Sequence, residues 1–258
     1  MATTLYGHRG ARGEAPENTL AGFAYARRIG VEGFELDVRR AADGELVVIH
    51  DETVDRTTTA TGRVAALTAA QLAALDARAA FPEWPGSPEP VGVPRLVEVL
   101  DAFPHLPAWQ IEVKHDTPAA LEEVCARLVG LIEARDLAAR AVVASFDAVA
   151  LQIMRRLAPY LPRAFIGRYD DPADLQTALN LGCAGACIPH RTSHKETVQA
   201  AQASGLAVTG WLGNSKAELQ LLLDWGVDSI TTDYPSLAIP VLRRHGRGRA
   251  GTMADGRS

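Results

Sequence analysis

Short apolar runs alternate along this chain with stretches in which apolar positions recur at helical spacing. The runs, at 3–7, 33–39, 109–114, 141–145, 163–167, 184–188, 206–211 and 228–232, predict strands. The stretches between them predict helices, clearest at 119–134 and 215–225. Ala141-Val142-Val143-Ala144-Ser145 is almost continuously apolar, as expected of a parallel strand buried on both faces. Strands and helices alternating over this length predict an α/β fold, a (β/α)8 TIM barrel. A doubly wound open sheet is the competing architecture, but no Gly-x-Gly-x-x-Gly fingerprint follows the first run.

Two features break the alternation. Ala42-Asp43-Gly44-Glu45 predicts a tight turn that returns the chain into an extra strand, Leu46-Val47-Val48-Ile49-His50. An insertion after the second strand follows, about 51–94, with Thr-rich and Pro-rich pieces around one short helix at 68–77. Segments of this length inside a compact domain are usually functional or disordered. The expected organisation is one barrel domain, 1–246, followed by a disordered Gly- and Arg-rich tail, 247–258.

Composition narrows the setting. With 258 residues, 47% of them hydrophobic, the chain has enough material for one large core. Its formal charge of −5 and lack of a basic stripe exclude a nucleic-acid surface. No apolar run reaches membrane-span length, and no secretory signal precedes the first strand, so stable membrane association is not expected. Cys125 lies on the apolar stripe Leu121, Val124, Cys125, Leu128, Leu131, Ile132 and is expected in the core. Cys183 and Cys187, on an extended segment, lie too far apart to bridge. Three cysteines point to a reducing compartment, so the expected location is cytoplasmic.

The polar residues that do not belong in a core carry the chemistry. Residues i and i+2 of a strand share a face, so Glu35 and Asp37 project together, as do Glu112 and Lys114. Their apolar neighbours take the face beneath the helices, which sends the charges to the barrel axis near its C-terminal mouth. Three converging carboxylates need a reason, because unpaired buried charge is costly. A hard divalent cation, Mg2+ or Ca2+, is one; an internal salt-bridge network through Lys114 is the other. Two histidines join them, His8 in Gly7-His8-Arg9-Gly10 and His50 after the hairpin. One imidazole can accept a proton from a nucleophile while the other protonates a leaving alkoxide. Arg9 and Lys114 are suited to offset charge on phosphoryl oxygens. These are the parts of a phosphodiester hydrolase.

At these residues the chain resembles the glycerophosphodiester phosphodiesterase family. The resemblance covers about residues 4–240. It runs through His8-Arg9-Gly10 with Pro16-Glu17-Asn18-Thr19, Glu35-Leu36-Asp37, Asp43-Gly44 to His50-Asp51, and Arg56-Thr57-Thr58 with Gly62. It continues through Ile111-Glu112-Val113-Lys114, Ser145-Phe146-Asp147, Trp211 and Thr232-Asp233-Tyr234-Pro235. The resemblance implies a barrel with a small insertion, one divalent cation, and hydrolysis of small glycerophosphodiesters to glycerol 3-phosphate and an alcohol. By position it implies His8 and His50 as the acid/base pair and Glu35, Asp37 and Glu112 as metal ligands. Arg9 and Lys114 would hold the phosphate, and Trp211 would wall the glycerol or alcohol pocket. Glu17 is a candidate to orient His8 or Arg9, and Asn18 a candidate cap for the helix at 19–29, which Gly30 closes. Arg95 and Leu212-Gly213 depart from the family pattern, which puts the substrate rim in question.

Other readings stay open at this point. The nucleophile is water or the substrate's own neighbouring hydroxyl, which would give a cyclic phosphate first. A lysophospholipase D-like activity would need an apolar entry, for which Phe81 and Trp84 are candidates; local packing of the insertion is the plainer reading. A non-catalytic phosphodiester-binding protein is the alternative from another class. His105, His115, His190, His194 and Arg168 are read as solvated loop residues.

Overall fold

The computed structural model describes residues 3–81, 84, 86 and 91–254, with side chains to residue 246. In chain order the elements are β1 (Thr4–His8), α1 (Leu20–Ile29), β2 (Gly33–Arg40), β3 (Leu46–Val48), a 3-10 turn (Val64–Ala66), α2 (Ala69–Ala73), α3 (Leu96–Ala102), β4 (Ala108–Val113), α4 (Pro118–Glu133), β5 (Ala141–Ser145), α5 (Ala148–Leu157), β6 (Arg163–Ile166), α6 (Pro172–Asn180), β7 (Gly185–Pro189), α7 (Lys195–Ala203), β8 (Ala207–Trp211), α8 (Lys216–Trp225), β9 (Ser229–Thr232) and α9 (Pro235–Ala254). All strands but β3 are parallel, in the order β1-β9-β8-β7-β6-β5-β4-β2, and a β1–β2 pairing closes the cylinder. The chain is a (β/α)8 barrel.

Local chemistry starts and stops the helices where the sequence suggests. Thr19 caps α1 by accepting from the backbone N–H of Gly22 at 3.0 Å, and Gly30 ends it in the left-handed region at φ 106°. The cap is therefore Thr19 and not Asn18, whose φ of 55° and buried side chain give it another task. Thr117 caps α4, and Pro118 occupies its first turn. At the first strand's exit, a side chain on Gly7 would meet the carbonyl oxygen of Gly10 at 2.0 Å, and Gly10 has φ 89°. Only glycines permit that turn.

The main core lies between the outer face of the sheet and the helices. Phe34, Leu36 and Val38 of β2 and Trp109, Ile111 and Val113 of β4 enter it, in register across the two strands. Phe34 packs edge-on against Phe103 and Trp109 at ring separations of 5.2 and 5.8 Å. Burying each such aromatic stabilises the layer by about 1.5–3 kcal/mol. Cys125 is buried on α4, and Cys183 and Cys187 are free thiols.

β3 returns antiparallel on β2 through the Asp43-Gly44 turn, where Gly44 has φ 80°. It stops at Val48, short of the strand expected to reach His50. The following segment packs its own small core of Val47, Ile49, Val54, Val64, Leu72 and Val93. Its helix is shorter than expected, because Thr68 and Gln71 box one turn and Leu75 and Ala77 leave it for the loop. Phe81 is half-buried, and Trp84 packs against the main core. At the other end α9 continues to Ala254, into the run read as a disordered tail; glycine within a helix weakens it by about 1 kcal/mol without having to end it. Residues 255–258 lie outside the described ones. Among the described residues, no helix is long and apolar enough to cross a membrane.

Candidate active site

The C-terminal ends of the barrel strands surround a cavity of about 200 Å³. His8 ends β1, Glu35 lies on β2, and Gln110 and Glu112 on β4; Trp211 ends β8, and His50 follows β3. Register brings the acids together: Glu35 stands beside Gln110, Asp37 beside Glu112, and His8 beside Glu35. Oxygens of Glu35, Asp37 and Glu112 lie within 4.8 Å of one another, all three side chains being buried. The expected convergence of the three carboxylates is what the barrel forms.

Their electrostatics are uneven. Burial raises Glu35 well above the usual carboxylate range, and Asp37 and Glu112 add to the effect. Burial and Asp37 likewise push Glu112 up to about 7. Burial opposes the charge on Asp37 as well, but Arg9 and Lys114 outweigh it and hold the group at about 2. Lys114 donates to Glu112 at 2.5 Å and lies 3.4 Å from Oδ1 of Asp37. It therefore sits among the carboxylates rather than on the cavity wall. One internal ammonium does not complete the set, for Oδ1 of Asp37 is buried with no hydrogen-bond donor. Three buried carboxylates, one with an unsatisfied oxygen, are a donor set that fits a hard divalent cation.

Arg9 is wedged between the acids. Its backbone N–H donates to Glu35 at 3.1 Å, its Nη1 to Glu17 at 2.9 Å, and its Nε lies 3.2 Å from Asp37. Its φ of 50° is unusual for a side-chain-bearing residue and follows from the Gly7–Gly10 turn. Asn18 donates to Oδ2 of Asp37 at 2.9 Å, so it braces a carboxylate rather than capping a helix.

Both histidines are held through Nδ1. His8 Nδ1 is 2.5 Å from Oδ1 of Asp233, and His50 Nδ1 is 2.6 Å from Oδ1 of Asp51. A neutral imidazole that donates through Nδ1 keeps Nε2 as the atom able to take up a proton. For His8 that atom lies 3.8 Å from Glu35, at the cavity. Burial lowers the pKa of His8, with Asp233 partly opposing, and burial lowers that of His50 too. Asp233 is itself fixed by Asn214, which donates to Oδ2 at 2.7 Å.

The far wall is aromatic. Phe146 meets Trp211 edge-on at 6.3 Å and is half exposed at the mouth. Leu212 lines the same wall, so one of the two departures from the family pattern does touch the cavity. Arg95 does not: it begins α3 and pairs with Glu98 at 3.0 Å.

No role for Asp51, Asp233, Arg12, Gln110 or Phe146 follows from the sequence alone, although Asp51, Phe146 and Asp233 stand in motifs that carry the resemblance. Asp51 adjoins His50 in the chain, a signal available for the reading. The partnership of Asp233 with His8 spans 225 positions and has no local signature. Of the residues set aside, His115 pairs with Asp147 on the surface, Arg168 with Asp170, and His190 lies half-buried against Glu218. None of them lines the cavity, nor does His105 or His194.

Comparison with known proteins gives the family. The profile of the glycerophosphoryl diester phosphodiesterase family matches residues 8–237. A glycerophosphodiester phosphodiesterase of Bacillus subtilis is 32% identical over 89% of this chain and 83% of its own length. The structure of an Oleispira antarctica phosphodiesterase in complex with the product sn-glycerol-3-phosphate superposes with a TM-score of 0.85 at 26% identity, covering 94% of this chain and 97% of that one. The crystal structure of a glycerophosphodiester phosphodiesterase from Agrobacterium tumefaciens gives 0.78 at 29% identity, over 92% and 98%.

Proposed function

Since this chain belongs to the glycerophosphoryl diester phosphodiesterase family, whose members are phosphoric diester hydrolases, we propose that it cleaves small glycerophosphodiesters into sn-glycerol 3-phosphate and an alcohol with a histidine pair. The observation that carries the mechanism is the pair of Nδ1-anchored imidazoles at one cavity, beside three buried carboxylates.

Glu35, Asp37 and Glu112 are the residues to hold a divalent cation, whose contribution when bound is to polarise a phosphoryl oxygen and offset its charge. Arg9 and Lys114 add positive charge on the same side, where non-bridging oxygens gain charge in the transition state. Asp233 and Asp51 keep each imidazole turned with Nε2 free. The neutral ring takes the nucleophile's proton at Nε2. The other, protonated on both nitrogens at the start of the cycle, delivers its Nε2 proton to the departing alkoxide, each such transfer being worth about 10²–10⁴-fold. Trp211 and Phe146 form an apolar wall for the carbon skeleton of glycerol or the alcohol.

The insertion favours soluble diesters over lysolipids as substrates. Trp84 packs, partly buried, against the main core, and among the described residues of the insertion the charged Arg56 and Asp51 stand beside His50. The test is release of glycerol 3-phosphate from choline, ethanolamine, glycerol and inositol diesters after chelator treatment and resupply of Mg2+, Ca2+ or Mn2+. Metal-restored release supports the proposal, and accumulation of cyclic glycerophosphate identifies the substrate hydroxyl as nucleophile. Activity confined to micellar lysolipid would replace the substrate class, and ligand binding without turnover would replace the enzymatic reading.

A further inference from the structure

We infer that Arg56, on the inserted segment, is a positioning residue that locks the carboxylates behind His50 and Arg9 into one clamp. This rests on the phosphodiesterase reading above. Its Nε donates to Oδ2 of Asp51 at 2.6 Å, while Nη1 and Nη2 donate to the two oxygens of Glu17, each at 2.8 Å. The other oxygen of Asp51 holds Nδ1 of His50. Glu17 Oε1 also receives Nη1 of Arg9. A single planar guanidinium thus sets the orientation of an acid/base candidate and of a phosphate-binding candidate.

The network extends to the other histidine. Arg12 Nε lies 3.4 Å from Glu17, and its Nη1 lies 3.7 Å from Oδ2 of Asp233, the carboxylate behind His8. Charges alternate from His50 through Asp51, Arg56, Glu17, Arg12 and Asp233 to His8. Among the described residues, Asp51 has no ion pair or side-chain hydrogen bond beyond His50 and Arg56. Removing the guanidinium leaves Asp51 free to rotate and His50 without a fixed partner. Glu17 still pairs with Arg9 and Arg12 when Arg56 is removed, so its carboxylate is not left without a cation.

An isolated ion pair on a side chain as exposed as Arg56 contributes little stability. The fork differs because its three nitrogens each donate to an oxygen of one of two carboxylates, a pattern an ammonium cannot reproduce. The insertion thereby reaches the chemistry through one side chain, and the orientation of His50 is the part of its effect that kcat reads. A misplacement of about 1 Å at a reacting group can cost about 10²-fold.

The experiment compares wild type, R56A, R56K and R63A on glycerophosphocholine with divalent cation, each with kcat, KM and a melting curve. Arg63 serves as the control because it belongs to the same segment and pairs with Glu52 on the surface. R56A is expected to lose about 10- to 100-fold in kcat while still melting cooperatively as a folded protein. Millimolar guanidinium should restore part of that loss and leave wild type and R63A unchanged, while R56K stays close to R56A. An R56A enzyme with wild-type kcat and KM, or a loss that guanidinium does not relieve, overturns the positioning role. A wild-type chain that hydrolyses no glycerophosphodiester overturns the phosphodiesterase reading and this one with it.

Discussion

Nδ1 of His8 and Oδ1 of Asp233 meet at 2.5 Å, although 225 positions of chain separate them. The closing pairs β1–β2 and β1–β9 make this possible, because they bring the first and last barrel strands side by side. A carboxylate so placed favours one tautomer of the ring, and under the proposed mechanism its effect on the reaction passes through the histidine.

Asp233→Asn is therefore expected to lower kcat about 10- to 100-fold, and His8→Ala by about 10²-fold or more. The double variant should be no worse than His8→Ala alone, since residues acting as one unit are not additive. Steady-state kinetics of the three proteins checks this; an additive double loss would separate the two residues.

Cation binding should register without any turnover. A ligand at about 100 times its dissociation constant stabilises the folded state by about 2.7 kcal/mol. Chelator-treated protein should gain melting temperature on titration with Mg2+ or Ca2+, and Glu112→Gln should lose most of that gain. Thermal melts over a cation series decide the matter, and a flat series in wild type would contradict the site.

Stability depends on the aromatic layer outside the barrel. Phe34 is fully buried between Phe23, Phe103 and Trp109. Phe34→Ala should cost about 3–5 kcal/mol in chemical denaturation. A cost below about 1 kcal/mol would mean that the layer closes over the missing ring.

Acid should weaken the clamp around Glu17 in a defined direction. Burial alone would raise this carboxyl, but the bonds from Arg56 and Arg9 hold it below its ordinary 4.5. The folded state then binds fewer protons than the unfolded one, so the stability is present above about pH 4.5 and is lost as pH falls through the lowered value. Melting temperature against pH should be less steep in Glu17→Gln than in wild type below pH 4.5. Equal slopes would remove Glu17 from the acid response.

The alternation of apolar runs with amphipathic stretches was enough to place every barrel strand to within a residue or two, because each element must bury its own face. The i, i+2 spacing of Glu35 with Asp37 likewise made the shared carboxylate face legible, since strand side chains alternate by geometry alone. The hairpin at Asp43-Gly44 was readable for the same local reason. Asn18 was less readable, because a residue before a helix has the composition of a cap whether or not its side chain turns elsewhere.

What the chain determined by itself is the inventory of elements, the faces they bury and the supply of chemically apt residues at strand ends. Tertiary structure alone decided that Asp233 lies behind His8, that Asn18 reaches Asp37, and that Arg56 bridges Asp51 to Glu17. Periodicity is a property of neighbouring residues and survives in the sequence. A charge pair across the mouth depends on strand register and barrel closure, which only the folded chain sets.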